Sequence, residues 1–274
     1  MTDLHVGRVT PFAIQREAQA LVNAEEPDLI VVTGDFVCHS QLYLDQLACL
    51  MEGFTAPVFA VLGNHDYWAG AEEVSLALRR AGVEVLRNQN TTFTVRGQPI
   101  QVVGLDDAYT GHARPEKAVA GLRHDLPSLA LSHIAEEADH LWHYGVPLVL
   151  SGHTHGGQIT LARLHEITLG RIGGHKYLHG LYGSRQANDN GGAVYVGAGI
   201  GAAVMPFRIG ERGKREVTVF ELGVAPGEFS EHHEEQQPMP GRPVSFAKLQ
   251  RRIARVARKR VHRANRTTVE IRVR

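Results

Sequence analysis

Cysteine is nearly absent: the 274 residues hold only Cys38 and Cys49. Two thiols make neither a disulfide framework nor a cysteine-based zinc site, so both read as free thiols of the interior. No apolar run approaches the roughly 18–20 residues needed to cross a bilayer, and no leader pattern of the secretory type is present. The sequence therefore leaves the compartment open, cytoplasmic or peripheral to a membrane. Net charge is absent as well, but the balance of zero is uneven. From Gly241 onward there are twelve Lys or Arg and a single acid, Glu270, for a net +11. Residues 1–240 carry 17 basic and 28 acidic side chains, for a net −11. Such a split marks a basic tail on an acidic globular body.

What is present is a hydrophobic fraction of 43%, enough for a sizeable core. Residues 1–222 form the expected body. The stretch 223–245, rich in Pro, Gly and Glu, reads as a linker. Residues 246–274 form a basic amphipathic tail: Ser245 is a plausible N-cap, and Phe246, Leu249, Ile253 and Val256 recur at helical spacing. With Arg251, Arg252, Arg255, Arg258, Lys259 and Arg260 beside that stripe, such a helix could lie on an anionic bilayer, apolar face inward. A solvated, disordered basic extension is the competing reading.

The body alternates short apolar runs with helical patterns, the mark of an α/β fold with a buried sheet. Four runs, "DLIVVTGDF", "PVFAVLGNHDYW", "SLALSHI" and "VPLVLSGHTH", each end in a side chain able to bind a hard or borderline cation. These are Asp35, Asn64, His133, and the pair His153 and His155. Ligands of α/β sheets gather at the carboxyl ends of strands. The His-x-His pair alone could be an exposed strand edge, because residues two apart share a face. That reading leaves Gly152, Gly156 and Gly157 without a purpose, whereas a tight ligand-bearing turn needs them. At the start of the chain stands a fifth set, Asp3 and His5 in "MTDLHVG".

In this order, D-x-H, G-D, G-N-H-D, S-H and G-H-x-H, the chain closely resembles the calcineurin-like metallophosphoesterases over residues 1 to about 222. "SGHTHGGQ", with "KYLHGLY", "YVGAGIG" and "EVTVFEL", resembles a bacterial branch of phosphodiesterases, some of them related to hydrolases of UDP-diacylglucosamine. The resemblance implies a four-layer α/β/β/α sandwich with two metal ions at the strand ends. Asp35 would bridge the ions; Asp3, His5 and His155 would complete one, and Asn64, His133 and His153 the other. Two cations about 3.5–4 Å apart acidify a water and clamp phosphoryl oxygens. Nitrogen and oxygen ligands without thiolate suit Mn²⁺, Fe or Zn²⁺. His65 would protonate the leaving oxygen, and Asp66 would hold that imidazole in its working tautomer.

Two departures from the family pattern stand out. Only Met1 and Thr2 precede Asp3, where the family has a hydrophobic strand. The sandwich is thus expected to lack its first strand, with Asp3 and His5 loosely held unless the natural start lies upstream. After His133 comes Ile134-Ala135 in place of Asn-Pro, a change expected to spare the ligand. Asp106 and Asp107 either line the substrate cleft or form a solvated turn. Cys38 lies close to the site, as a core thiol. Among the remaining histidines, His179 is the best candidate for substrate contact. The expected function is phosphoester hydrolysis, on a diester or a pyrophosphate bond of a lipid-linked or nucleotide-diphosphate substrate. The alternatives are a nuclease, whose basic tail grips phosphates, and a non-catalytic metal-binding protein that docks through the tail.

Overall fold

The computed structural model describes residues 1–157, 160, 164, 166–183, 192–203, 208–210, 213–223 and 236–271, with side chains of the last helix through Val261. Gln158 of the signature, His165 among the remaining histidines, and residues 224–235 of the linker lie outside the described residues.

The β-branched runs become strands where the pattern expects them. A three-stranded parallel sheet holds β1 (Ile30–Thr33), β2 (Val58–Val61) and β3 (Glu84–Val85), in that order. A six-stranded sheet is built from β4 (Gln89–Val95), β5 (Gln98–Gly104), β6 (Ser128–Leu131), β7 (Leu148–Ser151), β8 (Gly180–Tyr182) and β9 (Ala193–Val196). Its order is β4-β5-β6-β7-β9-β8, parallel in the middle and antiparallel at both edges. Phe59, Val61, Leu86, Val102, Leu129, Leu131, Leu150 and Tyr195 pack between the two sheets. On the outer face of the small sheet lie α1 (Phe12–Ala24), α2 (Leu44–Glu52), α3 (Asn64–Ala69) and α4 (Ala71–Arg80), burying Ala18, Val22, Leu47, Leu50, Val74 and Leu78. On the large sheet lie α5 (Pro115–Ala118) and α6 (Ala138–His143), through Ala118, Ala138 and Leu141. Three separate cores thus make four layers, helix, sheet, sheet, helix, as expected.

The start of the chain differs from expectation in how firmly it is held. Residues 1–6 run beside β1 and the turn after it. Thr33 N–H donates to the Met1 carbonyl, Asp3 N–H to Gly34, His5 N–H to Asp35 and Val6 N–H to Phe36. On the other side Ile200 and Gly201 N–H donate to the carbonyls of Thr2 and Asp3. The Gln15 amide of α1 donates to the Leu4 carbonyl at 2.8 Å. Asp3 and His5 are fully buried as a result.

The tail also differs. It forms one long helix, α7 (Phe246–Ile271), and part of its apolar stripe is already covered. Val256 is 4% exposed and joins the core that contains Trp68 and Tyr67. Leu249 and Ile253 lie against Gly111. Only Phe246, at 76% exposed, is left bare. The stripe is therefore spent on the body rather than available to a bilayer. The described part of the linker is also tied down: Gln236, Met239 and Arg242 N–H donate to Leu181, Lys176 and Gly174 carbonyls.

Candidate metal centre

Each candidate ligand stands at the carboxyl end of a strand or in the N-terminal segment laid against β1. The turns that carry them are strained. Asp3, His5, Asp35, His153 and His155 all have positive φ, between 44° and 74°. L-residues rarely adopt this region, at a cost of order 1–3 kcal/mol each, and such outliers cluster at functional sites. The glycines answer the question their spacing raises. A Cβ on Gly152 would strike Thr2 Oγ1 and Asp3 Oδ2, and one on Gly63 would strike Asp35 Oδ1. The backbone has to pass that close for the ligands to converge.

Two imidazole–carboxylate groups result. In one, His5 Nε2 and His155 Nε2 are 3.1 Å apart, with Asp3 Oδ1 at 3.8 and 3.4 Å. In the other, His133 Nε2 and His153 Nδ1 are 3.3 Å apart. Asp35 Oδ2 stands between the groups, 3.5 Å from His5 Nε2 and 3.4 Å from His133 Nε2. Its other oxygen accepts from His65 N–H at 2.8 Å. The His133 ring places Nδ1 2.7 Å from the Thr33 carbonyl, so Nδ1–H donates there and Nε2 faces Asp35. Asn64 Oδ1 and Asp3 Oδ1 are buried and have no hydrogen-bond partner. Buried orphan acceptors are costly, and Asp3 Oδ1, 3.8 Å from His5 Nε2 and 3.4 Å from His155 Nε2, fits cation binding. A third close set, His5, Cys38 and His65, shares one of these imidazoles. The Cys38 thiol donates to the Ala203 carbonyl and is pushed up by burial, then by Asp35.

Three of the four imidazoles are held below their ordinary value, whereas the burial of His133 is outweighed by Asp35, which pushes it up to about 10. Burial and neighbouring imidazoles push His153 well below its ordinary value, and burial does the same to His5 against the pull of Asp35. Burial likewise lowers His155, and Arg208 adds to this from 3.1 Å. Neutral imidazoles are what a metal requires. Burial alone would raise Asp35, but His133 and His65 outweigh it and hold the carboxyl well below the usual range.

His65 lies against this cluster, 9% exposed, its ring centroid 4.7 Å from that of His5. Asp66 does not do what the sequence suggests. Its carboxylate accepts from Phe36, Val37 and Gly63 N–H, tying the β1 turn to the β2 turn, while His65 Nδ1 has no partner. Buried in this way and near Asp35, Asp66 is pushed up to about 8. Asp106 and Asp107 are buried rather than solvated. Asp106 accepts from the Tyr67 hydroxyl and Arg87, and Asp107 holds the Thr110 turn. His179 is engaged by Glu216 at 2.8 Å. With Ile134-Ala135 after it, His133 places Nε2 3.4 Å from Asp35 Oδ2.

Several neighbours carry no signal in the sequence. His39 lies 4.0 Å from His65, ring to ring, and Trp68 lies 4.7 Å from it. Tyr109 lies 5.2 Å from His153, and His175 lies 5.5 Å from it. His39 comes only four residues after Asp35, so the nearness of a strand end was the one available hint.

Comparison with known proteins identifies the family. The family model for calcineurin-like phosphoesterases matches residues 1–157. The phosphodiesterase YaeI of Escherichia coli is 32% identical over 232 residues, covering 81% of this chain and 80% of its own. The uncharacterized metallophosphoesterase YkuE of Bacillus subtilis is 34% identical, covering 73% and 70%. The UDP-2,3-diacylglucosamine pyrophosphatase LpxG of Chlamydia trachomatis is 28% identical, covering 59% and 64%.

Proposed function

The chain belongs to the calcineurin-like phosphoesterases, and from that premise we propose that it is a two-metal phosphodiesterase acting on a diester or pyrophosphate bond. The observation that carries the proposal is Asp35 Oδ2, poised almost equally between an imidazole of each ligand group. Asp3, His5 and His155 would hold one ion and Asn64, His133 and His153 the other, with Asp35 shared. Mn²⁺, Fe and Zn²⁺ all suit this donor set. When bound, such a pair neutralises phosphoryl charge and supplies an acidified water.

The chain's own groups do the rest. Asp35 is aimed by the His65 N–H, and the Asp66 carboxylate locks the two turns that carry them. His65 borders the cluster with one ring nitrogen unpartnered, in a position to hand a proton to a leaving oxygen. Trp68, His39 and Tyr109 form a rim that limits water. Body 1–222, linker 223–245 and tail 246–274 remain the proposed division, with the tail folded back onto the body.

The substrate class follows the relatives: a lipid-linked or nucleotide-diphosphate compound is favoured by the likeness to LpxG, and a diester by the likeness to the phosphodiesterase YaeI. No helix among the described residues is long and apolar enough to cross a membrane. Contact with an anionic surface would fall to the exposed cations of α7. Nucleic acid is the less favoured partner, and a non-catalytic metal-binding role leaves the His65 imidazole, its Nδ1 unpartnered beside the ligands, unexplained. The test is a hydrolysis panel on protein reconstituted with Mn²⁺, Fe²⁺ or Zn²⁺. It compares a phosphomonoester, a phosphodiester, UDP-2,3-diacylglucosamine and single-stranded DNA. Turnover of the diester or the pyrophosphate is expected. Preferential cleavage of DNA would make the protein a nuclease, and no turnover with any ion would overturn the reading.

A further inference from the structure

The basic helix α7 is docked beside the candidate metal centre. The Arg252 guanidinium lies 3.5 Å over the Tyr109 ring, and Tyr109 packs on His153. The Arg255 guanidinium lies 4.2 Å from the Trp68 ring centroid and Lys259 Nζ 5.5 Å from it, while Trp68 packs on His65 and His39. One aromatic ring therefore separates each cation from an imidazole of the site. Within Phe246–Arg260 there are seven basic residues and no acid. Among the described residues, Arg251, Arg252, Arg255 and Arg258 make no ion pair, and Arg252 Nε is buried without a hydrogen-bond partner. A cavity of about 840 Å³ opens along the helix, lined among the described residues by Gln250, Arg251, Ala254, Arg255, Arg258 and Lys259. Arg255 and Lys259 belong to both places, the cavity wall and the Trp68 rim. Their charge is felt at the rim: burial first, then His65, Lys259 and Arg255 push His39 down to about 4.

We infer that α7 supplies an anion subsite, centred on Arg255 and Lys259, for a second phosphate carried by the substrate beside the scissile one. A guanidinium stacked on a ring keeps its N–H edge free for phosphate oxygens. The aromatic ring beneath lowers the cost of holding that cation in place. A cavity whose described lining carries four cations and no acid suits a dianionic group. The inference rests on the phosphoesterase reading for what reaches the site, and it deepens that reading. It selects diphosphate-containing substrates over simple diesters, whether the diphosphate is borne by a nucleotide or by a lipid.

Trp68 makes the subsite observable without catalysis. In Trp142→Phe protein, Trp68 is the only tryptophan. Inorganic pyrophosphate added to the metal-free protein should change its fluorescence saturably. Arg255→Ala/Lys259→Ala in the same background should weaken that binding at least tenfold, and Arg255→Lys should keep most of it. No saturable change, or equal affinity in the double variant, overturns the inference. On metal-loaded enzyme, the double variant should raise KM for a diphosphate substrate at least tenfold more than KM for bis(4-nitrophenyl) phosphate. A soluble nucleoside-diphosphate sugar and a prenyl diphosphate in detergent micelles form separate arms, and the arm with the larger response identifies the source. An equal loss on diester and diphosphate overturns the subsite. Absence of turnover by the parent enzyme would instead reject the phosphoesterase reading, while the fluorescence titration still decides the subsite.

Discussion

His65 donates its backbone N–H to Asp35 Oδ1 at 2.8 Å. The bond spends one carboxylate oxygen on positioning and leaves the other to face His5 and His133. Asp35→Asn keeps the acceptor but turns an amide toward those imidazoles. Metal content, read by elemental analysis, should fall, and turnover should drop about a thousandfold or more, since several kcal/mol of charge stabilisation is lost. A variant that retains both its metals and its rate would refute the bridging role.

His65→Ala should keep its metals, because neither of the two proposed ligand groups counts that imidazole among its members. Turnover should fall by about 10²–10⁴. The loss should be steeper for alkyl than for nitrophenyl leaving groups, since a basic leaving oxygen needs the proton most. Equal losses on both would argue that His65 acts through charge alone.

Gly152→Ala tests the convergence of the turns. The new methyl would meet Thr2 Oγ1 and the Asp3 carboxylate. Overpacking of this kind costs about 1–3 kcal/mol. The variant should melt earlier and bind metal more weakly. Unchanged melting and metal affinity would show that the N-terminal segment can yield.

Adding Mn²⁺ or Zn²⁺ to chelator-treated protein should raise its melting temperature with concentration. At 100 times Kd the gain is about 2.7 kcal/mol if only the folded state binds. Asp35→Asn should flatten the response. A melting temperature indifferent to both ions would count against the site as a metal centre.

For α7 the expected membrane behaviour is binding by charge. Val256 and Ile253 already face the body, so insertion is not available to them. Each cation near an anionic surface contributes about 1 kcal/mol. The chain should co-sediment with anionic vesicles, not with neutral ones, and salt should release it fully. Loss of residues 241–274 should abolish binding. Salt-resistant binding would mean that the helix undocks and inserts.

The strands and the turns after them were legible because each signal is local. "VVTGD" and "AVLGNHD" carry both the buried run and the ligand within a few residues. The helix α7 was legible from its spacing. What covers its stripe was not, because periodicity says that a face is apolar and nothing about its partner. The bracing of Asp3 between Gly34 and Gly201 was hidden for the same reason, as it joins segments far apart in sequence. Asp66 misled because Asn-His-Asp places carboxylate and imidazole side by side in sequence, while the tight turn sends them apart.

The left-handed backbone at Asp3, His5, Asp35, His153 and His155 sets selection for heat resistance against selection for activity. Glycine would relieve the torsion at each position. At His155, whose side chain is 13% exposed where that of His5 is fully buried, little packing would be lost in exchange. A library sorted for thermal endurance in chelating buffer should therefore shed its ligands first, beginning at that position. The same library sorted with cations present should keep them.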